Sequence, residues 1–117
     1  MKKIIIGLFI LSLKMIAYPQ EKEKSFSENY KKGIEFYNMG VEIIKNIAPT
    51  ENVIRLDEVQ KKSIIQFKEA LPYLVKAHEL NPKDKNTLIA LMGIYFSMDE
   101  KEKYNKCEKE FDSLNKK

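Results

Sequence analysis

The chain is poor in the residues on which disulfides, metal clusters and histidine-based catalysis depend. Its 117 residues include one cysteine, Cys107, and one histidine, His78. A single cysteine forms no internal disulfide and no thiolate metal cluster, and a single histidine leaves one position for the most common general base. The sequence contains no glycine-rich phosphate loop and no metal-ligand spacing. We therefore expect a protein that is not an enzyme and that needs no cofactor.

Glycine and proline are also scarce, which limits the fold class. The chain has four of each, and no period-two alternation flanked by hairpin turns favours a β-sheet. Apolar residues recur instead at spacings of three and four, which is typical of amphipathic helices. A chain of this length forms at most one small domain. We expect that domain to be all-α.

The charge pattern does not favour nucleic acid as a partner. The formal net charge is +4, but Lys2, Lys3 and Lys14 belong to the apolar first segment, which leaves 18 of the 21 basic residues against 17 acidic ones. Lysine and glutamate alternate along the C-terminal part instead of clustering by sign. This pattern predicts solvent-exposed helix faces.

The first segment is typical of an export signal. Lys2 and Lys3 precede an apolar run, Ile4 to Leu13, and residues 18–20 interrupt the pattern. A basic start and a short apolar core resemble a bacterial secretory signal peptide, and the run is shorter than the about 20 residues that span a bilayer. We interpret residues 1–17 as a signal peptide, cleaved after Ala17, that directs export to the periplasm or cell envelope. The alternatives are an uncleaved inner-membrane anchor and a buried cytosolic helix.

Residues 18–24 are interpreted as a linker without a fold, and residues 25–117 as the folded domain. Ser25 and Glu28 have the spacing of a capping box, which predicts a helix start at Ser25. Apolar stripes then continue until Pro49 ends this helix, and Thr50 or Asn52 can cap the next one.

The second helix is predicted to start between Asn52 and Asp57 and to continue, with a kink, through Pro72. Pro82 cannot continue a helix, so the chain turns there, and Asp84 can cap a third helix from about Lys85 to Met98.

The last helix is predicted from a second capping pattern, Asp99 with Glu102. Tyr104, Cys107 and Phe111 then follow on one face. Cys107 is expected to be a buried structural thiol, because cysteine on an apolar helix face behaves as a small hydrophobe. His78 is expected to be an ordinary residue at a helix surface or boundary.

The residues on both sides of the Pro82 turn resemble a tetratricopeptide (TPR) repeat. They are Ala70, Leu74, Ala77, Pro82, Leu88, Leu91 and Tyr95, with Tyr30, Gly33 and Phe36 as a looser match in the first helix. The resemblance implies a short α-α superhelix of about four helices in two antiparallel hairpins. The predicted core is Phe67, Leu71, Leu74, Leu88, Leu91 and Tyr95.

TPR proteins hold partners noncovalently on a concave face formed by the first helix of each repeat. With only two hairpins, no further repeat covers the apolar residues of that face, so we expect it to be exposed and to bind a protein, a peptide or a second copy. The expected binding residues are Tyr30, Ile34, Tyr37, Asn38, Asn86, Ile89 and Phe96. The alternative is that long helices curl over and bury the apolar ones.

The sequence thus predicts a non-enzymatic interaction or assembly module. A membrane-tethered structural protein of the cell envelope, held by an uncleaved N-terminal segment, is the alternative.

Overall fold

The chain folds into four α-helices in a computed structural model, which describes residues 2–46 and 53–116, with side chains for 20–46 and 56–116. The helices are α1 (Lys2–Lys45), α2 (Val53–Leu80), α3 (Lys85–Ser97) and α4 (Lys101–Asn115). No strand occurs in these residues, and the predicted all-α fold is confirmed. In the same part of the chain, no helix combines the length and the apolar character that crossing a membrane requires.

Helix α1 starts much earlier than the sequence predicts. It begins at Lys2 and continues without interruption through residues 18–24. The predicted start at Ser25 is therefore wrong, because the Glu and Lys residues of this segment favour helix. The interpretation of residues 18–24 as a linker stays a prediction. Ser25 does not cap: its carbonyl oxygen accepts a hydrogen bond from the Asn29 side chain at 2.8 Å. Removal of residues 1–17 as a signal peptide stays a prediction.

The second helix and the following turn agree with the sequence. Helix α2 begins at Val53, within the predicted range, and Pro72 lies inside it. The predicted cap is confirmed, since Asp84 Oδ2 accepts hydrogen bonds from the Thr87 amide at 2.9 Å and the Thr87 hydroxyl at 2.6 Å. Pro49, Thr50 and Asn52 lie outside the described residues.

The turn between α3 and α4 differs from the prediction. Asp99 does not cap α4; it has a left-handed backbone, with φ of 57°. The Glu100 amide donates to the Tyr95 carbonyl oxygen at 2.8 Å and the Asp99 amide to the Phe96 carbonyl oxygen at 3.2 Å. This pair of bonds is the Schellman motif, which satisfies the free carbonyls at a helix end. The predicted capping pattern is therefore wrong, because Asp99 ends α3 instead of starting α4.

Two buried glycines set the packing of α1 against α2. An added Cβ on Gly33 would lie 2.7 Å from Leu74 Cγ, and one on Gly40 would lie 2.5 Å from Phe67 Cε1. The pairs run in opposite chain directions, so α1 and α2 are antiparallel. Each large side chain of α2 fits over a glycine of α1, which brings the two backbones close together.

The core lies where α2 and α3 meet the other two helices. Five of the six predicted core residues are buried, Phe67, Leu74, Leu88, Leu91 and Tyr95, and Leu71 is partly buried against them. Cys107 is also buried, as predicted. Two buried hydroxyls have partners, since Thr87 is bonded to Asp84 and Ser63 Oγ donates to the Gln60 carbonyl oxygen at 2.8 Å.

Candidate partner-binding surface

Two large apolar side chains project from the side of α3 that the core leaves uncovered. Ile89 is 49% exposed and Phe96 is 76% exposed, and they lie seven residues apart, on one face of the helix. Leu88, Leu91 and Tyr95 on the opposite side are buried. The predicted exposure of Ile89 and Phe96 is thus confirmed.

A cleft of about 320 Å³ lies beside Phe96, where α1, α2 and α3 meet. We call it the neutral cleft, because none of the lining residues that the structure describes is charged: Ile44, Leu56, Gln60, Ser63, Phe96 and Ser97. The Ser97 hydroxyl donates to the Gly93 carbonyl oxygen at 2.9 Å, and Ser63 is bonded in the same manner within α2. With both hydroxyls bonded to backbone, the cleft suits an apolar side chain.

A second cleft of about 320 Å³ lies on the other side of Phe96, between the end of α3 and α4. We call it the aromatic cleft, after its three rings, Tyr95, Phe96 and Tyr104. The Phe96 and Tyr104 ring centroids are 6.1 Å apart and the rings are inclined by 55°. The remaining lining residues are polar or charged: Asp99, Glu100, Lys101 and Asn105. Phe96 therefore separates an uncharged cleft from one that carries charge.

Tyr37 and Ile34 are packed inward and are not freely exposed. The Tyr37 ring lies 5.7 Å from the Phe67 ring, and a Cβ on Gly93 would lie 2.9 Å from the Tyr37 hydroxyl. Tyr37 thus joins α1 to both α2 and α3. Ile34 is partly buried against the same core. The expectation of an exposed patch is wrong for these two residues, because Tyr37 packs against Phe67 and Gly93 and Ile34 packs against the core.

Tyr30 lies at the opposite end of this face. Its ring stacks on Phe26 with centroids 5.7 Å apart, and it is half-buried. Burial, and secondarily the negative charge of Asp84, raise the pKa of Tyr30. Asn38 and Asn86 are exposed, and neither lines the two clefts beside Phe96.

Sequence reasoning missed Ile44, Leu56 and Tyr104 as surface residues. Ile44 and Leu56 are 40% and 38% exposed. Ile44 continues the apolar stripe of α1 that includes Tyr37. Helix α3 covers part of this stripe but has only 13 residues, so Ile44 lies at the end of the covered part. A comparison of the predicted lengths of α1 and α3 could have indicated that Ile44 is exposed. No comparable signal in the sequence indicated that Leu56 is exposed.

His78 and Cys107 lie on the other side of the core, between α2 and α4. His78 Nε2 is 2.8 Å from Glu110 Oε2, so this residue links the two helices, whereas Nδ1 has no partner among the described residues. Burial, and then the charge of Glu110, raise the pKa of the Cys107 thiol, and Lys106 lowers it in part. A thiol held in its protonated form is a poor nucleophile. In the described part of the chain, no group of three or more His, Cys, Asp or Glu is placed to hold a metal ion.

No family model, no curated protein and no solved structure matches this chain. The likeness to TPR repeats therefore depends on the residues of the chain itself. What the fold establishes is an all-α protein of paired helices, in which Phe96 is the most exposed of the large hydrophobic residues whose side chains the structure describes.

Proposed function

We propose that the chain is a non-enzymatic protein–protein interaction module that holds a peptide or a partner helix against Phe96. The observation that carries this proposal is the exposure of Phe96, 76%, directly beside the neutral cleft. An apolar side chain of a partner, inserted into that cleft, would cover Phe96 and Ile44 together. Interfaces draw most of their affinity from such aromatic residues at well-packed centres.

The proposed surface follows the TPR resemblance only in part. In that family the first helices of successive repeats form the binding face, and here α1 and α3 hold the equivalent places. Phe96 and Ile89 are the contact residues, with Asn86 and Asn38 at the border. Tyr37 and Ile34 are not contact residues in this proposal, since their side chains pack against the core.

The test compares two pairs of exposed apolar residues. Ile89→Ser with Phe96→Ser removes the proposed surface. Met39→Ser with Ile65→Ser is the matched control, because these residues are 51% and 57% exposed and line neither cleft beside Phe96. We expect the first pair to weaken capture of a partner from the native cell envelope by about thirtyfold or more, and the control pair to leave it unchanged.

Thermal unfolding of both double variants completes this test. Since all four side chains are exposed, both melting temperatures should stay near that of the parent. Equal capture by all three proteins, or unfolding of the Ile89/Phe96 variant alone, would contradict the proposed surface.

We further propose that the protein acts after export, with residues 1–17 removed. The alternative is a tethered structural protein, in which a retained N-terminal segment is joined to the bundle through the uninterrupted helix from Lys2 to Lys45. Mass spectrometry of the protein from its native source decides between them. A mature N-terminus at or after Tyr18 supports the exported module, and an intact Met1 or Lys2 supports the tether.

A further inference from the structure

The aromatic cleft has a chemistry that the neutral cleft lacks. Its three rings lie beside the carboxylates of Asp99 and Glu100. Glu100 makes no side-chain capping bond to α4, and among the described residues neither carboxylate belongs to an ion pair. Among the described lining residues Lys101 is the single basic one; Lys101 and Asp99 are exposed, and Glu100 is half-buried. The cleft thus offers aromatic faces together with more negative than positive charge.

A cation is the ligand that such a cleft favours. Aromatic rings are neutral, but the partial negative charge on their faces attracts ammonium and guanidinium groups. One ring of the cleft already does so, since Lys103 Nζ lies 5.8 Å from the centroid of the Tyr95 ring. Lys103 lines the neighbouring cleft beside Cys107 and not this one. Burial, and then the charges of Cys107 and Glu100, raise the pKa of Tyr95, so the charge of Glu100 acts at the ring.

We infer that the aromatic cleft receives an arginine or lysine side chain of the partner peptide, next to the apolar side chain that fills the neutral cleft. The inference rests on the proposed function and specifies its partner. Phe96 lines both clefts, so the two side chains of the partner flank a single phenyl ring. A partner sequence with a large apolar residue close to a basic one fits this surface.

Selection from a random peptide library displayed on phage, with the full chain as bait, tests this partner chemistry. The parent protein should select peptides that carry arginine or lysine close to a large apolar residue. Asp99→Asn with Glu100→Gln should select peptides that keep the apolar residue and lose the basic one. Glu108→Gln with Asp112→Asn is the matched control, because it changes net charge equally at exposed positions of α4 outside both clefts, and it should select the same peptides as the parent.

A selected peptide then permits a quantitative test against its own neutral analogue. Replacing its arginine by citrulline keeps the shape of the side chain and removes the charge. We expect this replacement to weaken binding to the parent about fivefold, the size of one exposed cation–π or ion-pair contact. Binding to the Asp99/Glu100 variant should be insensitive to the replacement.

The outcomes separate the inference from the proposed function. If selected peptides depend on Phe96 but show no basic preference, or if citrulline binds as well as arginine, the inference is wrong and the proposed function stands. If the Glu108/Asp112 control loses the basic preference as well, long-range charge and not the cleft is responsible, and the inference is also wrong. If selected peptides bind Phe96→Ser as tightly as the parent, the proposed function itself is wrong.

Discussion

At the scale of single residues, this fold depends on where side chains are small. Gly33 and Gly40 lie under Leu74 and Phe67, so the space that a Cβ would need is already filled. Gly93 is different, because the atom nearest to an added Cβ is the hydroxyl oxygen at the far end of the half-buried Tyr37 side chain, 2.9 Å away. The same residue type therefore tolerates substitution differently at these positions.

Gly40→Ala should destabilise the protein, and Gly93→Ala should not. Overpacking against the buried Phe67 ring costs about 1–3 kcal/mol, which exceeds the gain of up to about 1 kcal/mol that alanine brings to a helix. For Gly93→Ala a small shift of Tyr37 relieves the contact, so stability should stay equal or rise. Urea denaturation of both variants measures the difference, and equal free energies of unfolding would show that Phe67 does not fill the space over Gly40.

The raised pKa of the Cys107 thiol predicts that the stability of the fold depends on pH. Because its pKa is raised in the folded state, the fold retains the thiol proton more tightly than the unfolded chain does. This contribution to stability is complete below the ordinary thiol range, near about pH 8.5, and is lost as the pH rises through the higher pKa of the folded state. Cys107→Ala removes it.

Urea midpoints of the parent and of Cys107→Ala, measured at about pH 7 and about pH 10, test this prediction. The midpoint of the parent should fall more between the two pH values than that of the variant. All other side chains are the same in both proteins, so the difference between the two changes in midpoint isolates Cys107. If the urea midpoint decreases equally in both proteins, the thiol ionises as readily in the folded protein as in the unfolded one.

At the scale of helices and turns, the two turns flanking α3 are stabilised differently. Before α3, Asp84 uses its side chain to bond the Thr87 amide. After α3, Asp99 uses its backbone, with φ of 57°, to complete a Schellman motif. Glycine is the residue most suited to this conformation, because a Cβ there meets the following carbonyl oxygen.

Asp99→Gly should therefore stabilise the protein by up to about 1 kcal/mol, because relief of roughly 1–2 kcal/mol of left-handed strain exceeds the roughly 0.5–1 kcal/mol that the greater freedom of glycine costs on folding. Asp99→Asn is the control, since asparagine also tolerates the left-handed region, and it should leave stability nearly unchanged. Thermal unfolding checks both variants at one pH and ionic strength. A loss of stability in Asp99→Gly would indicate that the carboxylate makes a stabilising contact that outweighs the relieved strain.

At the scale of the whole molecule, the helices are unequal in length and in role. Helix α1 has 44 residues against 28 in α2, and the molecule measures 78 × 30 × 19 Å. The short α3 is the most enclosed element, with six buried residues among its 13. The stability of the bundle should therefore depend most on α3.

Leu91→Ala should cost about 2–5 kcal/mol, because Leu91 is buried at the centre of α3 and its truncation leaves a cavity. Ile89→Ala, two positions away on the exposed side, should cost less than about 1 kcal/mol. Chemical denaturation of the two variants measures the free energy of unfolding for one buried and one exposed position of the same helix. A similar loss in both variants would mean that the two faces of α3 are equally buried.

Local signals were sufficient for much of this architecture. Pro82 and Asp84 determine the turn and the cap within a few residues, and the spacing of Phe67, Leu74 and Leu91 marks the apolar side of each helix. Such features depend on residues that are close together in the chain, so they can be predicted from the sequence. The all-α fold, the turn after Leu80, the continuation through Pro72 and the burial of Cys107 followed from them.

Tertiary structure decided the rest. The sequence marked Tyr37 and Phe96 alike as apolar residues of one surface, yet Tyr37 packs on Phe67 and Gly93 while Phe96 stays 76% exposed. Periodicity shows which side of a helix is apolar, but not which neighbour covers it or where that neighbour ends. That depends on how closely α3 approaches α1, where Gly93 leaves room for the Tyr37 hydroxyl, a contact between residues far apart in the chain.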